Sequence, residues 1–402
     1  SSRALGGKFG HGFISAGAGG AAGGVQNPFA RIVAAAVIGG TVSELTGGKF
    51  ANGAIGAAFA TAVSAYANGD FNSNGGTGSG SSNSAGTCSA NPINLATGEK
   101  YLTMRDYQAS GASRLIFERY YSSFASEKTS LGNGWRHNFD RKLTFEDKTS
   151  IGTTRFVAYH SQQRKQVQFS VRRDDIYSYE TTSNSAEKLV KLEQGWQLTL
   201  ADGTVELFDE EGRLVQVDEI GHYKQTLTYN EKGWLASVTD SAGQQLIFNY
   251  DRFGLMTSVE TADGVTNFEY NRVSKVLTKV LTPENSNGQR GYKEYHYDDR
   301  RFRTAITSIT NELGDAIHHM AYDDNGRAIM SALGDDAERV DVVFLDNNTS
   351  SVTSALGRET TYQFDSNGNP VIIEGHATAS CIASNQGYEY DERGNIVSKT
   401  DW

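Results

Sequence analysis

The sequence predicts a mainly β protein built from antiparallel hairpins, preceded by a short helical segment rich in alanine and glycine. Apolar and polar residues alternate with a period of two, for example at Val205-Glu206-Leu207-Phe208. An aromatic residue followed by Asp or Asn, and then by Gly, recurs many times in the second half of the chain. The 44 Gly and 19 Tyr, against only 4 Pro, are typical of many tight turns between aromatic-rich strands.

Composition and charge limit the kinds of partner. The 402 residues are 38% hydrophobic and 21% charged, as in globular proteins, and the net charge is −10. An acidic chain has no general attraction to nucleic acid, so none is expected as a partner. The two cysteines, Cys88 and Cys381, lie outside any Cys-x-x-Cys motif, and the sequence leaves open whether they pair.

Residues 1–68 form the Ala/Gly-rich segment. Two Gly-Gly-Lys-Phe motifs, at residues 6–12 and 47–53, each precede a run of small residues that we expect to be helical. The alternatives are a membrane-active helical hairpin and a packed soluble one, so contact with a membrane stays open. Residues 69–90 are rich in Gly, Ser and Asn, which predicts a flexible linker and a domain boundary.

The aromatic–aspartate motif is an internal repeat. Successive copies from Phe208-Asp209 onward are 19 to 27 residues apart, which leaves room for two short strands and two turns. The residues assigned to the repeat are Tyr229, Tyr250, Asp251, Gly254, Tyr297, Asp298, Tyr322, Asp323, Gly326, Phe364, Asp365, Gly368, Tyr390, Asp391 and Gly394.

Each copy has the composition of a hairpin turn. The Asp side chain can accept hydrogen bonds from the turn backbone, and Gly takes the positive φ that other residues resist. We expect the aromatic residue to end a strand and to stack on its counterparts in neighbouring hairpins. Asp323 and Asp365 also suggest calcium loops, but the twelfth positions are Gly334 and His376 rather than Glu, so hairpin turns are favoured.

The pattern Tyr-Asp, then Gly-Arg or Gly-Asn, over residues 208–400 resembles the YD repeats of RHS proteins. Upstream, two segments resemble the DUF6531-type domain that opens such arrays. We therefore assign residues 91–200 to an opening β domain and 201–402 to repeats truncated at the C-terminus. The opening-domain residues are Asn91, Pro92, Asn94, Gly98, Tyr120, Tyr121, Gly134, Trp135 and His137.

The resemblance implies a strand spiral that forms part of a hollow shell around a C-terminal toxin domain. It also implies secretion, commonly by a type VI system, and killing of competing bacteria. The partners would be the toxin domain of a full-length parent and the secretion machinery, at a secreted or cell-surface location. The family's self-cleavage region and toxin are absent, and the last strand lacks its return strand, so we expect the chain to be a fragment.

No residue pattern points to catalysis. The one adjacent histidine pair, His318-His319, would face opposite sides of a strand, and the chain has no HExxH, nucleophile elbow or P-loop. We expect no cofactor and no metal. The leading hypothesis is a non-catalytic toxin shell. The alternatives are a cell-surface adhesin that binds a glycan through exposed aromatic residues, and a membrane-active segment at 1–68.

Overall fold

The computed structural model describes most of the chain after residue 91. The described residues are 92–148, 154–161, 166–172, 177–181, 186–334, 336–376, 384–391 and 394–402. The predicted helical segment at 1–68, the linker at 69–90, Asn91, Cys88 and Cys381 lie outside these residues.

The regular elements of the described part are β-strands, and it contains no helix. This confirms the prediction of a mainly β, antiparallel protein for that part. Because helices are absent there, the described residues include none that could cross a membrane.

Residues 92–140 form a small unit that we call the opening module. Its strands are β1 (Tyr101–Gln108), β2 (Ile116–Ser122), β3 (Lys128–Thr129), β4 (Gly132–Asn133) and β5 (Trp135–His137). Strands β1, β2 and β5 form an antiparallel sheet in that order, and β3 pairs with β4.

All later strands belong to one long sheet. They are β6 (Lys142–Lys148), β7 (Thr154–His160), β8 (Gln166–Val171), β9 (Ser178–Thr181), β10 (Lys188–Lys191), β11 (Trp196–Thr199), β12 (Val205–Phe208), β13 (Leu214–Glu219), β14 (Tyr223–Tyr229), β15 (Leu235–Asp240), β16 (Gln245–Tyr250), β17 (Met256–Thr261), β18 (Gly264–Tyr270), β19 (Leu277–Leu281), β20 (Tyr292–His296), β21 (Ser308–Thr310), β22 (Ala316–Tyr322), β23 (Ala328–Leu333), β24 (Ala337–Phe344), β25 (Thr349–Ser354), β26 (Glu359–Phe364), β27 (Pro370–Gly375), β28 (Ser384–Tyr390) and β29 (Ile396–Asp401). From β7 to β28, each strand pairs antiparallel with the strand before it and the strand after it in the chain.

The alternating sequence gives the long sheet two different faces. In β16, Leu246 and Phe248 are buried, whereas the residues that alternate with them, Gln245, Ile247 and Asn249, are exposed. This is the pattern that a strand with a period of two adopts when only one face meets a core. Burying each large apolar side chain contributes about 1.5–3 kcal/mol, so the pattern fixes which face turns inward.

A β-bulge marks the end of the strand at most repeat copies. The register shifts at the aromatic residue, as at Tyr229 and Tyr250, where the tyrosine pairs with the first residue of the next strand. Bulges increase local twist and bend the strand that carries them. A bulge repeated at one end of successive hairpins therefore makes the sheet curl rather than extend flat.

The curl brings the start of the long sheet back onto a later turn. Lys142 forms an isolated antiparallel bridge with Arg213. The backbone N–H of Leu143 donates to the carbonyl of Gly212 at 2.8 Å. The sheet thereby closes on itself, and its first strand lies against the turn between β12 and β13.

The core lies between the opening module and the inward face of the sheet. Phe117 and Trp135 of the module are fully buried. Their rings lie 5.8 Å from Phe248 and 5.1 Å from Tyr295, respectively. Strands β6 to β11, within the range 91–200 predicted as the opening domain, are continuous with the repeats in one sheet.

Candidate functional site: the seam between the opening module and the repeats

The aspartate of the repeat organises its turn. Asp251 Oδ1 accepts hydrogen bonds from the N–H of Phe253 at 2.7 Å and of Leu255 at 3.0 Å. Gly254 has φ of 81°, which a residue with a Cβ rarely adopts. The same pair of hydrogen bonds forms in the turns that begin at Asn230, Asp323 and Asp365. The repeat glycines Gly326, Gly368 and Gly394 also have positive φ.

The residue after the turn glycine binds the other carboxylate oxygen. Arg327 Nε donates to Asp323 Oδ2 at 2.7 Å. Partial burial alone would raise the pKa of the Asp323 carboxyl, but the hydrogen bonds from Arg327 and the turn backbone lower it. Equivalent contacts join Arg213 to Asp209, Asn369 to Asp365 and Asn395 to Asp391. This explains why Arg or Asn follows the glycine in the repeat.

The repeat tyrosine links one repeat to the next. Its hydroxyl donates to the carbonyl of a residue just after the preceding repeat turn, and we call this contact the tyrosine clamp. The clamps, 2.7 to 2.9 Å long, are Tyr229 to Leu214, Tyr250 to Leu235, Tyr270 to Met256, Tyr297 to Leu277, Tyr322 to Ile306 and Tyr390 to Pro370. In the described part of the chain no ring contact joins two successive repeat tyrosines, so the clamp, and not the expected stacking, connects them.

Two of the predicted repeat positions depart from this scheme. Asp298 is exposed and its carboxylate lies 3.4 Å from Thr307 Oγ1. Its neighbour Asp299 caps the turn instead, by accepting from the N–H of Arg301 at 3.0 Å. Phe364 is buried but has no hydroxyl, so that repeat lacks a clamp.

The first opening-domain motif forms a turn pressed against a repeat. Asn94 Oδ1 accepts from the N–H of Ala96 at 3.0 Å, and the N–H of Gly98 donates to the carbonyl of Asn94 at 2.7 Å. The carbonyl of Gly98 then accepts from the N–H of Ala328 at 2.8 Å. A Cβ on Gly98 would overlap the side chain of Arg327. Before this turn, the carbonyl of Pro92 accepts from the N–H of Tyr101 at 3.2 Å.

Tyr121 and Trp135 carry the second motif into the core. The Tyr121 hydroxyl donates to the carbonyl of Thr304 at 3.0 Å and accepts from the N–H of Ile306 at 2.9 Å. Trp135 Nε1 donates to the Tyr297 hydroxyl at 3.3 Å. Both side chains therefore bind backbone or side-chain groups of the repeats.

The other members of the second motif support the module itself. The Tyr120 hydroxyl donates to Glu118 at 2.8 Å. Gly134 has φ of 85° and lies against the Tyr121 ring. His137 is buried, and burial lowers its pKa. Its Nε2 lies 3.1 Å from Asp140, and the ring packs on Phe248, so the histidine is a neutral packing residue.

Hydrogen bonds that involve a backbone group join the module to the repeats at intervals along its length. We call this set of contacts the seam. The pairs are Ser130 with Met256, Asn133 with Lys275, Tyr121 with Ile306, Gly98 with Ala328, and Leu95 with Ser350; just after the module, Leu143 of β6 pairs with Gly212. From Gly212 to Ser350 the partners move overall from residue 143 back to residue 95, and only Ser130 and Asn133 depart from this order. The seam therefore sets the positions of the repeats up to Ser350 relative to a single small scaffold.

Among the buried cations of the seam that were not predicted as site residues, Arg119 and Lys100 are the most deeply buried. Arg119 pairs with Asp106, donates to the Tyr295 hydroxyl at 3.1 Å and lies over the Trp135 ring. Its only sequence signal is a charged residue within an apolar strand. Such a residue is rarely buried unless it is paired.

Lys100 is the second buried cation. Its Nζ donates to Ser331 Oγ at 2.9 Å and lies 3.5 Å from His318 Nε2. Burial lowers the pKa of the Lys100 amine to about 7 and that of His318 to about 3. No carboxylate of the described residues pairs with this amine, so it lies among neutral groups at neutral pH.

A cavity of about 290 Å³ interrupts the seam at the second repeat. Trp234, Tyr250 and Arg213 line it on the repeat side, and Glu127 and Arg136 line it on the module side. It combines aromatic rings with paired charges. The described residues, those of this cavity included, hold no cluster of three or more His, Cys, Asp or Glu side chains that could bind a metal ion.

Comparison with known proteins agrees with the two sequence motifs. A domain of unknown function, DUF6531, matches residues 90–169, and the RHS repeat matches residues 229–266. Double-stranded DNA deaminase toxin A of Burkholderia cenocepacia (strain H111) is 24% identical over 311 residues, which are 76% of this chain and 18% of that protein. This chain thus spans about a fifth of the relative's length.

Solved structures give weaker likenesses. The crystal structure of TcdB2-TccC3 aligns with 76% of this chain and 19% of its own, at 12% identity and a TM-score of 0.32. The N-terminal domain of effector protein SpvB from Salmonella typhimurium aligns with 58% of this chain and 96% of its own, at 12% identity and a TM-score of 0.20.

The two family matches, at residues 90–169 and 229–266, establish that the chain contains a DUF6531 domain followed by an RHS repeat.

Proposed function

We propose that this chain is the first part of the shell of a secreted RHS toxin, which encloses and delivers a toxin domain carried by the full-length parent. The DUF6531 and RHS matches and the toxin relative support this function. In this proposal the described residues build a container and perform no chemistry themselves. Secretion, the secretion machinery as partner, and action against competing bacteria belong to the same proposal.

The continuous curled sheet carries the proposal. The contact of Leu143 with Gly212 places the first strand against a turn seven strands later, which is how a strand spiral begins a second layer. Bulges supply the bend, and tyrosine clamps hold each repeat to the one before it. Adding further copies of such a unit extends a wall without a new core, as in other repeat architectures.

The inward face of the last strands offers room for a cargo. The opening module covers the inward face of strands such as β17, where Met256 is fully buried, but Ile396, which takes the place of Met256 in β29, is 39% exposed. A wall that continues past its scaffold must meet another surface or water. We infer that in the parent protein this face lines the space that holds the toxin domain.

Electron microscopy and limited proteolysis of the full-length parent would test the shell. We expect a hollow particle, and a C-terminal toxin domain that resists protease until the shell is opened by denaturant. A parent protein whose C-terminal domain is cleaved as fast as the isolated domain would contradict the proposal.

A glycan-binding adhesin is the second candidate, and the seam cavity favours it. Aromatic faces such as Trp234 and Tyr250 beside Arg213 and Glu127 suit the apolar and polar sides of a sugar ring. A glycan array would detect binding, and Trp234→Ala should abolish it while Trp402→Ala, which lies outside the cavity, should not. An array without signal for the unmodified chain would remove this candidate.

A further inference from the structure

Three neighbouring repeat turns form a basic edge on an otherwise acidic chain. They are residues 251–254, 271–275 and 298–303, and we call them the basic ridge. Together they hold six cations (Arg252, Arg272, Lys275, Arg300, Arg301 and Arg303) and three carboxylates (Asp251, Asp298 and Asp299), a surplus of three positive charges. Because the whole chain carries −10, the rest of it carries −13.

Direct contacts show that the three turns are adjacent. Lys275 Nζ of the second turn lies 5.0 Å from the ring centroid of Phe253 in the first. The second and third turns line one groove of about 710 Å³, with Val273 on one side and Arg300 and Arg303 on the other. The ridge is therefore one continuous surface rather than three separate loops.

Most of these cations are free to meet a partner. Arg252, Arg272, Arg300 and Arg303 are exposed, and in the described part of the chain they form no ion pair. Arg301 differs, because it is held by Asp299 and Asp324. Exposed charges without partners on one surface raise the local potential and attract the opposite charge.

Apolar side chains project from the same surface. Val273 is 91% exposed and Phe253 is 54% exposed, each at the tip of its turn. Arg252 and Lys275 lie over the Phe253 ring, so cations and an aromatic face are presented together. Exposed Phe and Val at adjacent tips favour a partner that has apolar side chains as well as negative charge.

We propose that the basic ridge is a docking surface for an acidic segment of a partner polypeptide that also carries apolar side chains. The charge surplus selects the acidic residues, and the groove between the second and third turns receives the extended chain. A flat anionic bilayer would touch the tips but leave the groove empty. The phosphates of a nucleic acid would leave Val273 and Phe253 without apolar partners.

Fluorescence anisotropy of the whole chain with a labelled peptide of repeated Glu-Glu-Phe tests the proposal. We expect binding that weakens steeply with added salt, and no binding of the matched Lys-Lys-Phe peptide. The triple variant Arg252→Glu/Arg272→Glu/Arg300→Glu should weaken binding at least about tenfold. These side chains are exposed turn residues, so the variant should keep the circular dichroism spectrum of the unmodified chain.

The control makes the same change of charge elsewhere on the sheet. Lys188→Glu/Lys224→Glu/Lys399→Glu lies outside the ridge and should alter affinity less than about twofold beyond the effect of net charge. Equal losses in the two variants, or no binding of the Glu-Glu-Phe peptide at low salt, would overturn the proposal. Ridge-dependent binding to phosphatidylserine vesicles or to a duplex oligonucleotide, without ridge-dependent peptide binding, would overturn it in favour of a lipid or nucleic-acid surface.

Discussion

The strands that face the opening module and the last strands of the sheet are built from the same repeat, but they differ in burial. In β17, Met256 pairs with the repeat tyrosine Tyr250 and is 0% exposed, whereas in β29 its equivalent Ile396, which pairs with Tyr390, is 39% exposed. Both regions have a tyrosine clamp, at Tyr250 and Tyr390. The repeat therefore supplies the turn and the link between neighbours, and the module supplies the core.

The largest expected effect comes from removing the buried tryptophan of the module. Trp135→Ala leaves a cavity among Tyr121, Tyr295 and Tyr297, and should lower the free energy of unfolding by about 3–5 kcal/mol. Trp402→Ala is the matched control, because Trp402 is 59% exposed, and should change it by less than about 1 kcal/mol. Urea denaturation measures both, and similar losses would refute the distinction between the two regions.

The seam should make stability depend on pH through Lys100. Burial lowers the pKa of the folded-state amine to about 7 from an ordinary value of 10.5. Between these values the unfolded chain binds a proton that the folded chain lacks, so stability rises with pH above about 7, by at most about 1.4 kcal/mol per pH unit. Below pH about 7 the amine is protonated in both states, so Lys100 adds no further pH dependence to the stability.

Urea denaturation across the neutral to mildly alkaline range checks this pH dependence. Lys100→Met keeps the length of the side chain and removes the titration, so its stability should rise less with pH than that of the unmodified chain. Parallel pH profiles for the two proteins would show that the Lys100 amine is not desolvated in the seam.

Alanine substitutions at two glycines separate the energetic cost of a steric clash at the seam from that of backbone strain. Gly98 and Gly111 both have positive φ, at 82° and 74°, so an alanine at either costs about 1–2 kcal/mol. At Gly98 the new Cβ also overlaps Arg327, whereas at Gly111 it meets open space. Gly98→Ala should therefore be the more destabilising of the two in thermal unfolding, and equal costs would mean that the module does not press on that repeat.

The smallest effect concerns the clamp, and here the two regions should agree. Tyr250→Phe and Tyr390→Phe each remove one hydrogen bond to a backbone carbonyl and should each cost about 1 kcal/mol. Tyr388→Phe serves as the control, because among the described residues the Tyr388 hydroxyl hydrogen-bonds the Gln386 side chain and no backbone carbonyl. A cost at Tyr250 alone would show that the clamp depends on the module rather than on the repeat.

The turns and the mainly β class could be predicted because their causes are local. Asp251, its two N–H donors and Gly254 lie within five residues, so the chain itself displays the whole device. The clamp could not be predicted from the sequence, because the Tyr250 hydroxyl binds a backbone carbonyl 15 residues away, and a carbonyl has no side-chain signature. The prediction of ring stacking considered the aromatic face of the repeat tyrosine, whereas the hydroxyl makes the contact with the preceding repeat.

The seam is still less visible in the sequence. Lys100 lies 231 residues from Ser331, and Arg119 lies 176 residues from Tyr295. The local composition gives no sign that Lys100 is buried, and for Arg119 it gives only the place of a charged residue within an apolar strand. Their burial follows from the curl of the sheet, which accumulates over many bulges and is a property of the whole array rather than of any segment.

Amide hydrogen exchange of the whole chain tests most directly whether the opening module organises the repeats. We predict strong protection in β16 and β17, weak protection in β28 and β29, and a loss of protection on Trp135→Ala that is confined to strands in the seam. Uniform protection along the long sheet, or an equal loss in both regions on Trp135→Ala, would contradict the account.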